Sequence, residues 1–324
     1  MHLDQLVLFT MKEGQATFSE FSKSTFKNWL KEIKQKGSHL DFEKELKWRD
    51  PSGTELDPFY DASNTTAATY ITHFFSSQPY PQWKLLHKIE VKDDKTANRE
   101  ALDALNNGCE GIIFDVEHHA PNPDILYDQI QAAHCSIFFT GSRTKDLDDF
   151  FNHYRSLEAS AFEGGADNWV SGHAQFSYTI DATHYRTLKE WSSLVLQIID
   201  CLKSKDQSVT VHISHGSHFY YDLTRVRSLR FMVCALCRAE KIPFSTDRFR
   251  IHSSPIKRKG LAEGLISNSA TGLSLTLGAI HYLSFELDAE ASADGQRWSR
   301  NVGNLLREEA QLTFEQDPIA GAHF

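Results

Sequence analysis

SVTVHISHGSHFYYDLTRVRSLRFMVCALCRAEKIPFSTDRFRIHS, residues 208–253, decides the fold. The run 208–214 is rich in β-branched residues and reads as a strand. Residues 221–240 read as an amphipathic helix, and 249–253 as a second strand. A strand, a helix and a strand joined by short links demand parallel pairing through a right-handed crossover.

The same unit recurs on both sides. Upstream, strands are predicted at 85–91, 110–116, 135–141 and 176–181, alternating with helices at 96–108, 124–134, 147–159 and 188–204. Downstream, a helix at 260–278, a strand at 279–287 and a helix at 295–312 follow. EGGADNW, residues 163–169, reads as a Gly-rich loop, and residues 312–314 are the candidate for an eighth strand. Seven to eight β–α units fit an α/β fold of the (β/α)₈ TIM type, whose typical size is about 250 residues. An open doubly wound sheet would show an early Gly fingerprint for phosphate, and none is present.

The first 82 residues differ. Residues 25–36 have a helical pattern with Phe26, Trp29, Leu30 and Ile33 on one face, and Gly37 is a stop. Pro51, Ser52 and Gly53 mark a turn between two short extended pieces. The expected organisation is an extended N-terminal arm with helix and hairpin over 1–82 and the barrel over 83–324, with its last helix falling beyond the chain.

With 34 Lys and Arg against 43 Asp and Glu the net charge is −9, which argues against non-specific binding to nucleic acid or an anionic membrane. No run approaches the roughly 20 apolar residues that span a bilayer, and the N-terminus does not read as a secretory signal. Five widely spread cysteines, Cys109, Cys135, Cys201, Cys234 and Cys237, suggest free thiols in a reducing cytoplasm. Cys234 and Cys237 form a CxxC pair, but in mid-helix, where core packing is the expected role.

His212, His215 and His218 run from a strand end into the following loop, the catalytic side of a barrel. Three imidazoles could hold zinc. A spacing of three along extended chain, however, sends alternate side chains to opposite faces, and no carboxylate motif accompanies them. Cofactor-facing or core histidines are favoured, and no metal is expected. Asp115, Glu117, His118 and His119 at the end of the second strand are either an acid–base cluster or a solvated loop. Arg225, Arg227, Arg230 and Arg238 form a basic stripe.

Six stretches, taken in order, resemble the methylmalonyl-CoA mutase family, its small-subunit branch more than its large. They are FKNWLKEIKQKG with LKWRDPSGTELDPFYD, PQWKLLHKIEVKDDKTANREALDALNNGCEGIIFDV, YTIDATHYR, HGSHFYYDLTRVRSLRFMVCAL, RIHSSPIKRKG, and WSRNVGNLLREEAQL with DPIAGAHF. The resemblance implies an adenosylcobalamin-dependent interconversion of methylmalonyl-CoA and succinyl-CoA. In that family the CoA chain threads the barrel axis, the corrin caps the C-terminal face, and in heterodimers only the large subunit is active.

Three departures point to the inactive partner. Arg186, in Thr183-His184-Tyr185-Arg186, stands where the resemblance places a catalytic His, and a permanently charged guanidinium cannot act as that imidazole. The stretch that carries the radical-controlling Tyr reads Gln78-Pro79-Tyr80-Pro81-Gln82-Trp83, without the family's Arg. The Asp-x-His-x-x-Gly motif of the cobalamin domain is missing. No catalytic residue is therefore expected. The ligand-facing candidates are Tyr80, His184, Arg186, His215, His218, Arg250, His252 and Ser254, with Arg250 and His252 matching the family's Arg-x-His. Adenosylcobalamin is expected at the level of a complex with a catalytic large subunit and not on this chain alone, with acyl-CoA a further candidate ligand. The alternatives are an active isomerase served by a separate cobalamin-binding chain, and a metal-dependent barrel hydrolase using the three histidines.

Overall fold

A computed structural model describes residues 24–37, 41, 45–49, 53, 55–61, 74, 80–131, 134–141, 163–167, 176–183, 188–204, 208–215, 218–245, 248–255, 260–286 and 293–319. The chain divides into two compact units, one drawn from residues 1–49 and 55–67, the other mainly from 68–322.

In the smaller unit, helix α1 (Phe26–Lys36) begins where the Thr25 hydroxyl accepts a hydrogen bond from the Asn28 N–H and ends where the Gly37 N–H donates to the Ile33 carbonyl. Phe26 and Trp29 stack against each other, and Trp29 stacks on Phe59 at 5.5 Å. Strands β1 (Trp48–Arg49) and β2 (Glu55–Leu56) form the expected antiparallel hairpin, braced by Lys47–Glu55 at 3.0 Å.

The larger unit is α/β, built on a curled parallel sheet. Its strands are β3 (Lys84–Glu90), β4 (Gly111–Asp115), β5 (Ser136–Thr140), β6 (Glu163–Asp167), β7 (Phe176–Asp181), β8 (Ser208–His215), β9 (Phe249–Pro255) and β10 (Tyr282–Ser284). Each pairs in parallel with its neighbour in sequence, and β10 pairs with both β9 and β3, so the pairings return to their start. The described helices of this unit are α2 (Asp94–Asn106), α3 (Pro123–Leu126), α4 (Leu188–Leu202), α5 (Phe219–Ala239), α6 (Leu261–Leu277) and α7 (Ala293–Asn304), the last running into a π turn, Leu305–Glu309.

Alternation along the strands sorts side chains onto two faces. Leu85, Ile89, Ile112, Phe114, Ile137, Phe139, Val209, Val211, Ile213, Ile251 and Leu283 join the large core that contains Ala97, Ala101, Leu194, Val226 and Leu275 from the helices. Leu86, Ile113, Phe138 and Tyr282 form a separate buried cluster on the inner face.

Three expectations change. The Gly-rich stretch is no loop: Gly164 and Gly165 pair with Ile137 and Phe138 on one side and with Phe176 and Ser177 on the other. Glycine has poor strand propensity, so only pairing with both neighbours makes this segment a strand. Residues 312–314 lie in no strand; they receive side chains instead, the Trp83 indole N–H donating to the Leu312 carbonyl at 2.7 Å. The helix expected over 124–134 is the single turn of α3, followed by Gln129 at φ +63°. The Asn98 amide donates to the carbonyls of Leu126 and Asp128, and the Ile130 N–H turns back to the Tyr127 carbonyl, so the acceptors of a longer helix are already taken. The helix expected at 147–159 lies outside the described residues.

Among the described residues no helix is long and apolar enough to cross a membrane. All five cysteines are free thiols; burial pushes Cys109 up to about 12 and Cys135 up to about 11, which makes them inert packing groups.

Candidate functional site

The polar residues that collect at the C-terminal ends of the strands do so because the inner face is apolar only at mid-height. Above Phe138 and Tyr282, whose rings meet edge to face at 5.1 Å, the inward positions become Lys88, Asp115, Thr140, Thr210, His212, His252 and Ser284. All of these but Asp115 line a cavity of about 40 Å³, together with Ile113, Phe138, Phe139 and Glu286.

His212 and His252 are paired across β8 and β9 and stack with ring centroids 4.4 Å apart. His252 is buried, and its Nε2 lies 2.9 Å from the Ser284 hydroxyl on β10. Burial holds its imidazole well below the ordinary histidine range, and His212, Lys88 and His215 push it the same way. It is therefore a neutral ring. The Lys88 ammonium lies 3.1 Å from the Asp115 carboxylate, and Asp115 also accepts from the Glu117 N–H at 3.2 Å. A larger polar cleft of about 360 Å³ opens beside this cavity, sharing Lys88 and Glu286 and walled by His87, Glu90, Lys92, Asp93, Glu100, Gln296 and Ser299 among others. His87 points to the helix side of the sheet, where Glu100 of α2 meets it at 3.4 Å.

The residues singled out in the sequence are scattered. His252 lies at the cavity. Arg250 is two positions earlier on the same face of β9, opposite Thr210. His215 falls on the other face, buried behind the sheet, with its Nδ1 hydrogen-bonded to the Ser253 hydroxyl. His218 is the exposed N-cap residue of α5. The three histidines at 212, 215 and 218 are thus not brought together, and among the described residues no group of three or more His, Cys, Asp or Glu could hold a metal. Tyr80 lies at the opposite end of the strands: its hydroxyl donates to the Thr276 carbonyl at the foot of α6, and burial pushes its phenol above the ordinary range. Ser254 sits in β9 opposite Ser214. Arg186 and His184 lie outside the described residues.

Sequence reasoning missed Lys88, Phe138, Ser284 and Glu286. Lys88 carried a signal: it lies two residues after Leu86, on the same face of the strand, and marks an inner face that turns polar toward its end. Asp115 was legible at a strand end, whereas its neighbour His119 turns to Asp94 at 3.2 Å on the rim of α2.

No family model matches the chain. It is similar to the methylmalonyl-CoA mutase small subunit of Porphyromonas gingivalis, with 22% identity over 380 aligned positions that cover 97% of this chain and 62% of that protein. The chain therefore spans less than two thirds of the length of the curated relative it matches. Among solved structures it is similar to a mandelate racemase/muconate lactonizing protein from Herpetosiphon aurantiacus, with TM-score 0.39, 13% identity and coverage of 66% of this chain and 56% of that one. It is also similar to the dihydropteroate synthase of Anaplasma phagocytophilum, with TM-score 0.31, 12% identity and coverage of 69% and 99%.

Proposed function

We propose that the curled sheet is a (β/α)₈ TIM-type barrel preceded by an N-terminal arm over residues 1–82, and that the chain is the non-catalytic partner of a catalytic large subunit. The complex would be an adenosylcobalamin-dependent acyl-CoA mutase interconverting methylmalonyl-CoA and succinyl-CoA in the cytoplasm. The family part of this reading rests on a likeness to a mutase small subunit that runs along nearly the whole chain.

The observation that carries the non-catalytic part is the filling of the sheet's axis. Leu86, Ile113, Phe138 and Tyr282 are all buried, with Tyr282 1% exposed, and they close the path that a CoA chain would thread. His252, the residue that matches the family's Arg-x-His, is not free to serve a corrin as its lower ligand, because its Nε2 is engaged by Ser284 and its ring is covered by His212. The cofactor of such a complex would be held by the catalytic partner.

Gel filtration of the chain mixed with a catalytic mutase subunit tests the reading: co-migration in a defined complex is expected. Calorimetry with succinyl-CoA on the chain alone should give no heat of binding. Turnover by this chain with adenosylcobalamin and a separate cobalamin-binding chain, without a catalytic barrel, would replace the reading with that of an active isomerase.

A further inference from the structure

The polar cleft beside the axial cavity is the larger of the two, about 360 Å³ against about 40 Å³. It is walled by β3, α2 and α7, and two polar side chains of that wall are almost fully buried, His87 at 5% and Ser299 at 2% exposure. Glu100 of α2 meets His87 at 3.4 Å. The Ser299 Oγ, in contrast, has no hydrogen-bond partner among the described residues. Leaving a buried hydroxyl unpaired is costly, and a helix that keeps one on the wall of a cleft offers it to whatever fills the cleft.

The charge of the wall says what kind of ligand that is. Five carboxylates line the cleft against two lysines. Each lysine is already matched, Lys88 by Asp115 at 3.1 Å and Lys92 by Glu90 at 3.2 Å. Asp93, Glu100 and Glu286 therefore give the wall a negative surplus that even a protonated His87 would not cancel. A single metal ion is a poor match, because among the described residues no three His, Cys, Asp or Glu come together to hold one. Carboxylates that are many but do not converge suit an elongated cation whose charges are separated. We propose that this cleft binds an aliphatic polyamine. Its ammonium groups pair with the wall carboxylates, Glu100 among them, and one N–H donates to the Ser299 Oγ. Its methylene links lie against Ala97 and Phe285, the apolar part of the same wall. The proposal does not depend on the mutase reading.

Titration calorimetry of the purified chain with spermidine, at an ionic strength of about 0.15 M so that loose surface attraction is screened, tests it. One saturable site is expected. Glu100→Gln should weaken binding about fivefold or more. Ser299→Ala should weaken it to a similar degree without lowering the melting temperature, since its hydroxyl has no partner within the described chain to lose. Asp200→Asn, the same change of charge at a 69% exposed carboxylate on α4, should leave binding unchanged. A wild type that gives no heat of binding overturns the proposal, as does a Ser299→Ala chain that binds as tightly as wild type. Equal weakening in Asp200→Asn and Glu100→Gln would also overturn it, because it would mean general attraction of a cation to a chain of net charge −9. So would magnesium chloride alone binding as tightly as spermidine in a Glu100-dependent way.

Discussion

His212 and His252 face each other ring to ring across the β8–β9 pairing, with 25° between their planes. Two imidazoles this close cannot both be charged without strong repulsion, and the pair sits above a filled axis with Lys88 nearby. The cluster couples the fold to pH.

That coupling has a definite sign. His252 and His281 are both buried and both held well below the ordinary value of 6.5, His281 by burial with Arg230 and Arg250 adding. The unfolded chain takes up these protons first. Their contribution to stability is therefore complete above about 6.5 and is lost as pH falls from there toward the depressed folded-state values. The urea midpoint should drop between pH 7 and pH 5, each group contributing at most about 1.4 kcal/mol per pH unit. In His252→Asn the slope should be shallower by one proton's worth; an identical slope would show that His252 is not among the groups responsible.

Phe138 fills the axis against Tyr282. Phe138→Ala should cost about 3–5 kcal/mol, transfer and cavity terms together. Chemical denaturation measures it, and a loss below about 1 kcal/mol would mean the inner cluster is not packed as described.

Asp317 is nearly fully buried and accepts two hydrogen bonds from Arg227 of α5, at 2.9 and 2.7 Å. Removing the carboxylate takes two hydrogen bonds away from a guanidinium whose side chain is only 14% exposed. Asp317→Ala should destabilise the larger unit by about 3–5 kcal/mol, while Asp317→Ala with Arg227→Met should recover much of that loss. A double variant no better than the single one would argue that Asp317 acts through something other than this pair.

Gly111 of β4 leaves no room for a side chain between its neighbours. A Cβ there would meet the Ser136 carbonyl oxygen on β5 and lie 2.6 Å from the Leu86 Cδ2. One of these obstacles is backbone and cannot swing away. Gly111→Ala should therefore lower the melting temperature, with a cost of about 1–3 kcal/mol. A melting curve that superimposes on wild type would mean the β4–β5 register is looser than the pairing of Gly111 with Ser136 implies.

The alternation of strands and helices from residue 84 onward was legible because each element carries its own period of apolar residues, as 208–214 and 221–240 do. The helix at 26–36 was legible for the same local reason, and the hairpin after it from the turn residues Pro51, Ser52 and Gly53. The tertiary structure alone decided that Glu163–Asp167 is a strand, since glycines have no period to display and the backbone is recruited by partners on both sides. That His212 and His215 take opposite faces followed from their spacing, but which of them faces inward, and that Phe138 of β5 meets Tyr282 of β10, was decided by the tertiary structure. Those facts depend on how strands far apart in sequence are curled around one another, and no local pattern encodes the distance between two side chains that only the closure of the sheet brings together.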